Sequence, residues 1–429
     1  MALALALPAA GMASAETLEQ ALATIVERHP QVQAARKAME AAERGVDEAF
    51  AAYLPRLTAR GDAGPERTDS PSRRATGQEP FNAAANRSTL TLTQNLFDGG
   101  RRDAGHEAAQ FSREVAGHAY NATLQGTLFE GISAYHDVLR NARLSDLART
   151  NEATIRRQLE LEDERVRRGS GVGVDVLLAK ARLQLAKEQR VAFEGRLRDA
   201  RSVFSQVFDR PPVAEEMVEP VPPSRLLPAQ LDQAIAVAVG ENPQVLSRDR
   251  QVDVAKREVS AATSDYYPRL DLVGRLNYED EVDGVPGVRH DQGVFLQVTW
   301  ELFSGFSTQA RRAQALARHG ERLQNLGHAK RKIMEEVRLA WSALETARER
   351  VELLANAVNI AGEVFDARRR LRETARESAI NVLDAETELY QARINFVNAS
   401  YDARVASYRV LVAMGRLTPE LLELPTTGQ

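Results

Sequence analysis

The chain has no cysteine among its 429 residues. That excludes disulfides, thiolate metal sites and a lipidated N-terminal cysteine. Aromatic residues supply only 6% of the composition, too few for a mixed globular core of the usual kind. No stretch approaches the roughly 18 consecutive apolar residues of a membrane-spanning helix. An excess of one charge is missing too: 56 Lys and Arg face 60 Asp and Glu, a net charge of −4, so bulk charge offers no case for nucleic-acid binding. What remains abundant is Ala, Leu, Arg and Glu, the residues of long helices.

Recognisable catalytic chemistry is lacking as well. The histidines at 29, 106, 118, 136, 290, 319 and 328 fall at no metal-binding spacing, so neither metal nor cofactor is expected. His106-Glu107 starts like a zinc-protease helix, but Gln110 stands where the second histidine belongs. The glycines of Gly169-Ser170-Gly171-Val172-Gly173 resemble a phosphate loop, yet a helical pattern precedes them where a strand is required. A helix-to-helix turn accounts for them better. No nucleophile elbow is present, and the carboxylates are spread around helices at solvated-face spacing. No catalytic residue is expected, and the chain reads as a non-enzyme.

At the N-terminus an apolar run from Ala2 to Ala10 leads to Ala13-Ser14-Ala15, a small-x-small cleavage pattern. This predicts an exported chain whose signal peptide is 1–15; an Ala-rich disordered leader is the alternative.

Internal repetition organises the rest. His29-Pro30-Gln31-Val32 recurs as Asn242-Pro243-Gln244-Val245, and Pro55-Arg56-Leu57 as Pro268-Arg269-Leu270, both at an offset of 213. Leu96-Phe97-Asp98-Gly99 recurs as Leu302-Phe303-Ser304-Gly305, and Asp175-Val176-Leu177 as Asn381-Val382-Leu383, both at 206. The difference therefore falls between Pro-Arg-Leu and Leu-Phe. A segment of fixed length behaves as a rod in register with its twin, and the variable one as an exposed loop.

The fixed spans read as helices. Val337, Leu344, Val351, Val358 and Phe365 recur every seven residues, as do Ile380, Thr387, Ile394, Tyr401 and Tyr408. Leu383, Tyr390, Val397 and Leu411 form an adjoining seam, the pattern of coiled-coil packing. Asp98 and Ser304 suit the N-cap positions. A helix reaching from there to Gly169 would be about 100 Å long.

The variable spans alternate with period two. Leu270, Leu272, Gly274, Leu276 and Tyr278 fall on one face of a strand, and Val294, Leu296, Val298 and Trp300 on one face of another. Leu57 to Ala63 and Ser88 to Leu96 repeat the plan more weakly, with a polar loop between them. Four strands cannot close a barrel, and an open edge cannot sit in lipid. Membrane strands would require several chains to share one barrel; a soluble four-stranded sheet packed on helices is the alternative.

The expected plan is then a first repeat over 16–210, with strands near 56–64 and 87–96 and a hairpin tip near 169–174. A Pro-rich linker over 211–228 joins it to a second repeat over 229–415, and 416–429 form a tail. The second repeat has strands near 269–279 and 292–301 and a hairpin tip near 373–379.

In this order, the Pro-Arg-Leu strand starts, the LFDGG and LFSGF turns, and the INVLDAETELYQAR stretch from Ile380 resemble the TolC family of outer-membrane export channels. The resemblance spans essentially the whole chain after the leader. It implies a mainly α fold with a membrane β-barrel: a homotrimer in which each protomer gives four strands to a 12-stranded barrel. A long periplasmic α-helical coiled-coil barrel would continue it, with the shorter helices stacked end to end along the two long ones. In the family the hairpin tips coil inward to close the tunnel. Asp384 then falls on an aspartate ring, Asn381 stands at the other ring position, and Asp175 matches a closing-bond residue. Its partners map to Arg372 and Glu377, where the family usually has Tyr and Arg. The tips, here Gly169, Ser170, Gly171, Val172, Gly173, Glu377, Ser378 and Ala379, would meet a periplasmic adaptor (membrane fusion) protein. The remaining partners implied are outer-membrane lipid and an inner-membrane ABC exporter or proton-driven pump. Type I protein secretion is the first expected function and drug or small-molecule efflux the second. A periplasmic coiled-coil scaffold without a pore is the third.

Overall fold

The computed structural model describes residues 16–169, 171–374 and 376–424; the expected signal peptide, Ser170 and the end of the tail lie outside the described residues. In chain order the elements begin with α1 (Leu18–Arg28), α2 (Pro30–Ala51), β1 (Arg56–Thr68), a one-turn α3 (Pro71–Ala75) and β2 (Phe81–Phe97). Helices α4 (Arg101–Arg167) and α5 (Gly173–Phe208) follow. The plan then repeats as α6 (Leu231–Glu241), α7 (Pro243–Thr263), β3 (Arg269–Asp280), β4 (Val288–Thr299), α8 (Ser307–Glu373) and α9 (Ala379–Met414).

The duplication is metrical. Helices α4 and α8 each have 67 residues, and α5 and α9 each have 36, with every start displaced by 206 positions (101 to 307, 173 to 379). Both shorter helices end on a left-handed residue, Asp209 in one and Gly415 in the other. The His-Pro and Asn-Pro pairs explain the breaks before α2 and α7. Proline suits the first position of a helix because its missing N–H has no partner there to lose. The preceding side chain serves as cap, with Gln31 N donating to His29 Nδ1 and Gln244 N to Asn242 Oδ1.

The chain divides into two compact units, one built from residues 37–118 and 247–328, the other from residues up to 36, 119–246 and 329 onward. In the first, the described strands form one antiparallel sheet in the order β1-β2-β3-β4. Strands β1 and β2 run past the span of alternating residues: the ladder continues through Pro65↔Ala84 to Thr68↔Phe81. Proline is tolerated there because β1 is an edge strand. The extension carries polar residues on both faces, so hydrophobic alternation does not mark it. The β2–α4 turn is set by Asp98, whose carboxylate accepts from the N–H groups of Gly100, Arg101 and Arg102. Gly99 is required beside it: its φ is +70°, and a Cβ would lie 2.9 Å from the Ser264 carbonyl oxygen.

In the second unit Leu22 and Ile25 of α1, Leu128 and Ile132 of α4, Phe204 and Phe208 of α5 and Leu411 of α9 form the main core. Tyr135 lies within it and reaches the backbone carbonyls of Glu16 and Val218 at 2.9 and 2.8 Å. Nearer the tips the packing departs from the seven-residue rows expected for α9. Ile380 and Thr387 of one row are exposed, whereas Leu383 and Tyr390 of the adjoining seam are buried as expected, joined by Ala379 and Glu386. A straight helix drifts relative to a strict seven-residue repeat, and here the drift carries Glu386 inward.

Candidate functional site

Each unit presents one surface of functional interest. In the sheet, register turns the alternation of single strands into a continuous band. Leu57 pairs with Leu92, Leu92 with Gly274, and Gly274 with Val294. Ala59, Leu90 and Leu276 form the next row, which ends on Gln292 of β4, and Leu272 and Leu296 another, with Gln94 at its β2 position. On β4 this face is bare, with Val294 74% and Leu296 62% exposed. The opposite face carries Thr58, Thr91 and Arg275 in one row and Arg60, Thr89, Asn277 and Asp291 in another; Val273 and Phe295 interrupt it. One face is therefore matched to hydrocarbon and the other to water. The outer edges of β1 and β4 have no strand partner among the described residues.

In the helical unit the candidate residues gather at the two hairpin tips. Between α4 and α5 the chain reverses through Gly169 at φ +81°, and Gly171 passes so close to Val166 that a Cβ would meet its backbone nitrogen at 2.7 Å. Val172 and Val174 at this tip, and Leu177 one turn into α5, stand exposed. The second tip is fixed by Ser378, whose Oγ caps α9 by accepting from Asn381 N at 3.3 Å. Ala379, expected to face an adaptor, is buried as the first residue of α9; Ile380 is the apolar side chain that faces out.

Ion pairs cross from one hairpin to the other. Arg372 of α8 holds Glu162 of α4 in a fork, Nη2 to Oε2 at 2.7 Å and Nε to Oε1 at 3.3 Å. The same guanidinium lies 3.5 Å from Asp175 of α5 and donates to the Glu377 carbonyl oxygen at 3.0 Å. Glu162 is also paired with Arg165 at 2.8 Å. Farther along, Arg182 of α5 donates to Asp384 of α9 at 2.8 Å, and Arg140 of α4 pairs with Asp402 of α9 at 3.0 Å.

The structure thus brings Asp175 and Arg372 together but makes Glu162 the tighter partner of the arginine. Glu377 joins this cluster through its backbone, while its carboxylate accepts from Asn381 Nδ2 at 2.6 Å and from Ser378 N at 2.9 Å. Those two donors, aided by Arg368 and Arg372, hold the Glu377 carboxyl below the usual carboxylate range. Asn381 serves the tip twice over, since its carbonyl also accepts from Arg368 at 2.9 Å. Sequence reasoning missed Glu162, Arg182 and Arg368. The available signal was Glu162 lying two turns before the first tip and Arg372 directly before the second, but spacing along one helix does not reveal a partner on another.

Comparison with known proteins agrees with this geometry. The family model described as outer membrane efflux protein matches residues 20–205 and 234–416. The outer membrane efflux protein BepC of Brucella suis is 25% identical over 413 residues, covering 96% of this chain and 88% of that protein. The alkaline protease secretion protein AprF of Pseudomonas aeruginosa is 28% identical over 419 residues, covering 93% and 84%. Among solved structures, the outer membrane protein VceC of Vibrio cholerae superposes with a TM-score of 0.79 at 16% identity, covering 93% of this chain and 96% of that one. The chain belongs to the outer membrane efflux protein family, a family of outer-membrane channels.

Proposed function

We propose that the chain is the outer-membrane channel of a tripartite type I protein secretion system, passing its substrate from an inner-membrane ABC exporter and a periplasmic adaptor to the outside. The observation that carries the channel reading is the apolar band in register across four strands whose outer edges are open. A sheet of that kind satisfies its backbone in lipid only by joining other copies. Three copies give a closed, 12-stranded barrel with the polar face inward, within the even-numbered sizes such barrels adopt. The rows of Arg60, Thr89, Asn277 and Asp291 would then line water.

The hairpin tips form the periplasmic gate in this reading. Among the described residues, four ion pairs tie the second hairpin to the first: Arg372 to Glu162 and Asp175, Arg182 to Asp384, and Arg140 to Asp402. Swinging α8 and α9 outward breaks all of them, so they favour the closed arrangement. Asp384 contributes one carboxylate per copy to the constriction, and with Asn381 at the other ring position the gate carries less negative charge. The exposed Val172, Val174 and Ile380 offer the adaptor an apolar foothold.

Secretion is placed first because AprF, at 28% identity, is named for protease secretion. Efflux of drugs or small molecules is the second reading, supported by BepC, which is named an efflux protein. Deleting the gene and comparing the secreted proteins with the sensitivity to toxic compounds separates them. Loss of a secreted protein with unchanged sensitivity is the expected result; the reverse would assign the channel to efflux. A heat-modifiable trimer in outer-membrane fractions tests the assembly, and its absence there would return the chain to the class of periplasmic scaffolds.

A further inference from the structure

On α9 the second hairpin holds a buried carboxyl with no ion-pair partner among the described residues. Glu386 occupies a core position on α9, three residues after Leu383 and four before Tyr390, and is only 5% exposed. Among the described residues its Oε2 has no hydrogen-bond partner, and the Tyr390 hydroxyl, equally buried one turn on, has none either. Both residues line a cavity of about 150 Å³ between α4, α8 and α9. Glu152 and Glu162 are buried too, but arginines pair with both. Among the described residues Glu386 has no such partner.

The charged and titratable groups around it are few. Helix α4 presents Thr150, Asn151 and Thr154 to the cavity, none of them titratable in this range. Helix α8 presents Asp366, which is paired with Arg369 at 3.5 Å, and α9 itself adds Arg393 and Tyr390. On α5, which also packs against α9, Arg190 is committed to Glu152 and Glu194. A carboxylate buried without a partner is costly, and such a group takes up a proton instead. Burial alone pushes the Glu386 carboxyl up to about 7.

We propose that Glu386 is a proton-binding site built into the α4–α8–α9 packing: the neutral carboxyl lets the second hairpin pack tightly, and ionisation draws water into the cavity and loosens that hairpin. The sign follows from the pKa being raised. Tight packing is complete below the ordinary glutamate range and is lost as pH rises through neutrality. A 150 Å³ cavity bordered by hydroxyls, an amide and a carboxyl has the room and the polar partners that water needs. The consequence for transport rests on the hairpin gate proposed above, in which a looser second hairpin opens more readily.

Hydrogen exchange of amides 383–394 in the assembled full-length protein, corrected for intrinsic rates and compared at about pH 6 and about pH 8, reads the loosening directly. Protection is expected to fall at the higher pH in the wild type and to remain in E386Q, whose amide mimics the neutral acid. Glu386→Leu, which also removes the charge, repeats the comparison independently. Equal protection at both pH values in the wild type, or the same loss in E386Q, would overturn the proposal. Single-channel conductance measured in parallel tests the gate separately. If protection changes as expected while conductance does not, the proton site stands and the hairpin gate fails.

Discussion

Arg372, near the end of α8, grips Glu162 of α4 with two of its nitrogens, and the carboxylate it grips is 5% exposed. The pair joins the two halves of the duplicated fold at the tips where each hairpin turns. A paired buried carboxylate becomes a liability once its partner is removed. Arg165 remains to compensate Glu162 in part, so Arg372→Ala should cost roughly 1.5–3 kcal/mol, the range of a charged hydrogen bond, and not the full price of an orphaned charge. We expect the variant to show higher single-channel conductance in planar bilayers than the wild type. Unchanged conductance would remove the pair from the gate.

The Arg182–Asp384 pair should behave differently. Both side chains are more than a third exposed, so its worth to stability is below about 1 kcal/mol. Its effect is electrostatic: in the proposed trimer, three Asp384 carboxylates around one axis would favour cations, and Arg182 would offset them. Asp384→Asn should lower cation selectivity, read as the reversal potential under a salt gradient, and Arg182→Ala should raise it. Neither should change the melting temperature appreciably.

How much of this the sequence discloses depends on whether an interaction is periodic. The constant offset of 206 from Leu96 to Leu302 and from Asp175 to Asn381 marks the helix pairs that the structure finds with 67 and 36 residues in both repeats. Alternation at Leu272, Gly274 and Leu276 marks the lipid-matched face, since period two is a property of a single strand. Apart from Asp175 and Arg372, which the resemblance links, pairing between helices stays hidden. Glu162, Glu152 and Glu386 look like other surface glutamates of a charged helix, and only packing buries them. Drift against the seven-residue repeat also misplaced Ile380 and Thr387, which the rows assign to the core and the structure exposes. The tip motif and the approach of Arg372 to Asp175 could be read through the resemblance, but Glu162, the tighter partner of that arginine, could not.

The two faces of the sheet should differ sharply in their tolerance of charge. Leu296→Arg places a cation on the lipid-matched face, at a cost of about 2–4 kcal/mol where the site lies near the bilayer midplane. Its yield of heat-modifiable trimer in outer-membrane fractions should fall well below that of the wild type. Gln297→Arg, one residue on and on the other face, should assemble normally. Equal yields would contradict the assigned orientation.

His136 provides a pH test remote from the tips. It is fully enclosed beside Tyr135, Tyr401 and Tyr408, with Nδ1 2.8 Å from the Ile132 carbonyl oxygen, and burial pushes its pKa down to about 4. The unfolded chain therefore binds more protons than the folded one between that value and about 6.5, and stability rises with pH across this window. The contribution is complete above it and is lost on acidification, by roughly 3 kcal/mol in all. Thermal unfolding of His136→Phe should lose this part of the pH dependence. A wild-type slope retained in the variant would assign the acid sensitivity to other groups.

The central claim is that β4 and its neighbours lie in the membrane with one face toward lipid. Because the chain has no cysteine, single-cysteine variants at each position from 293 to 298 report one site at a time. Labelling in intact outer membranes with a water-soluble and a lipid-soluble thiol reagent measures the orientation directly. The account predicts that 294, 296 and 298 react with the lipid-soluble reagent and resist the aqueous one, while 293, 295 and 297 do the opposite. Uniform reaction of all six with the aqueous reagent would mean a solvated sheet and would contradict the channel.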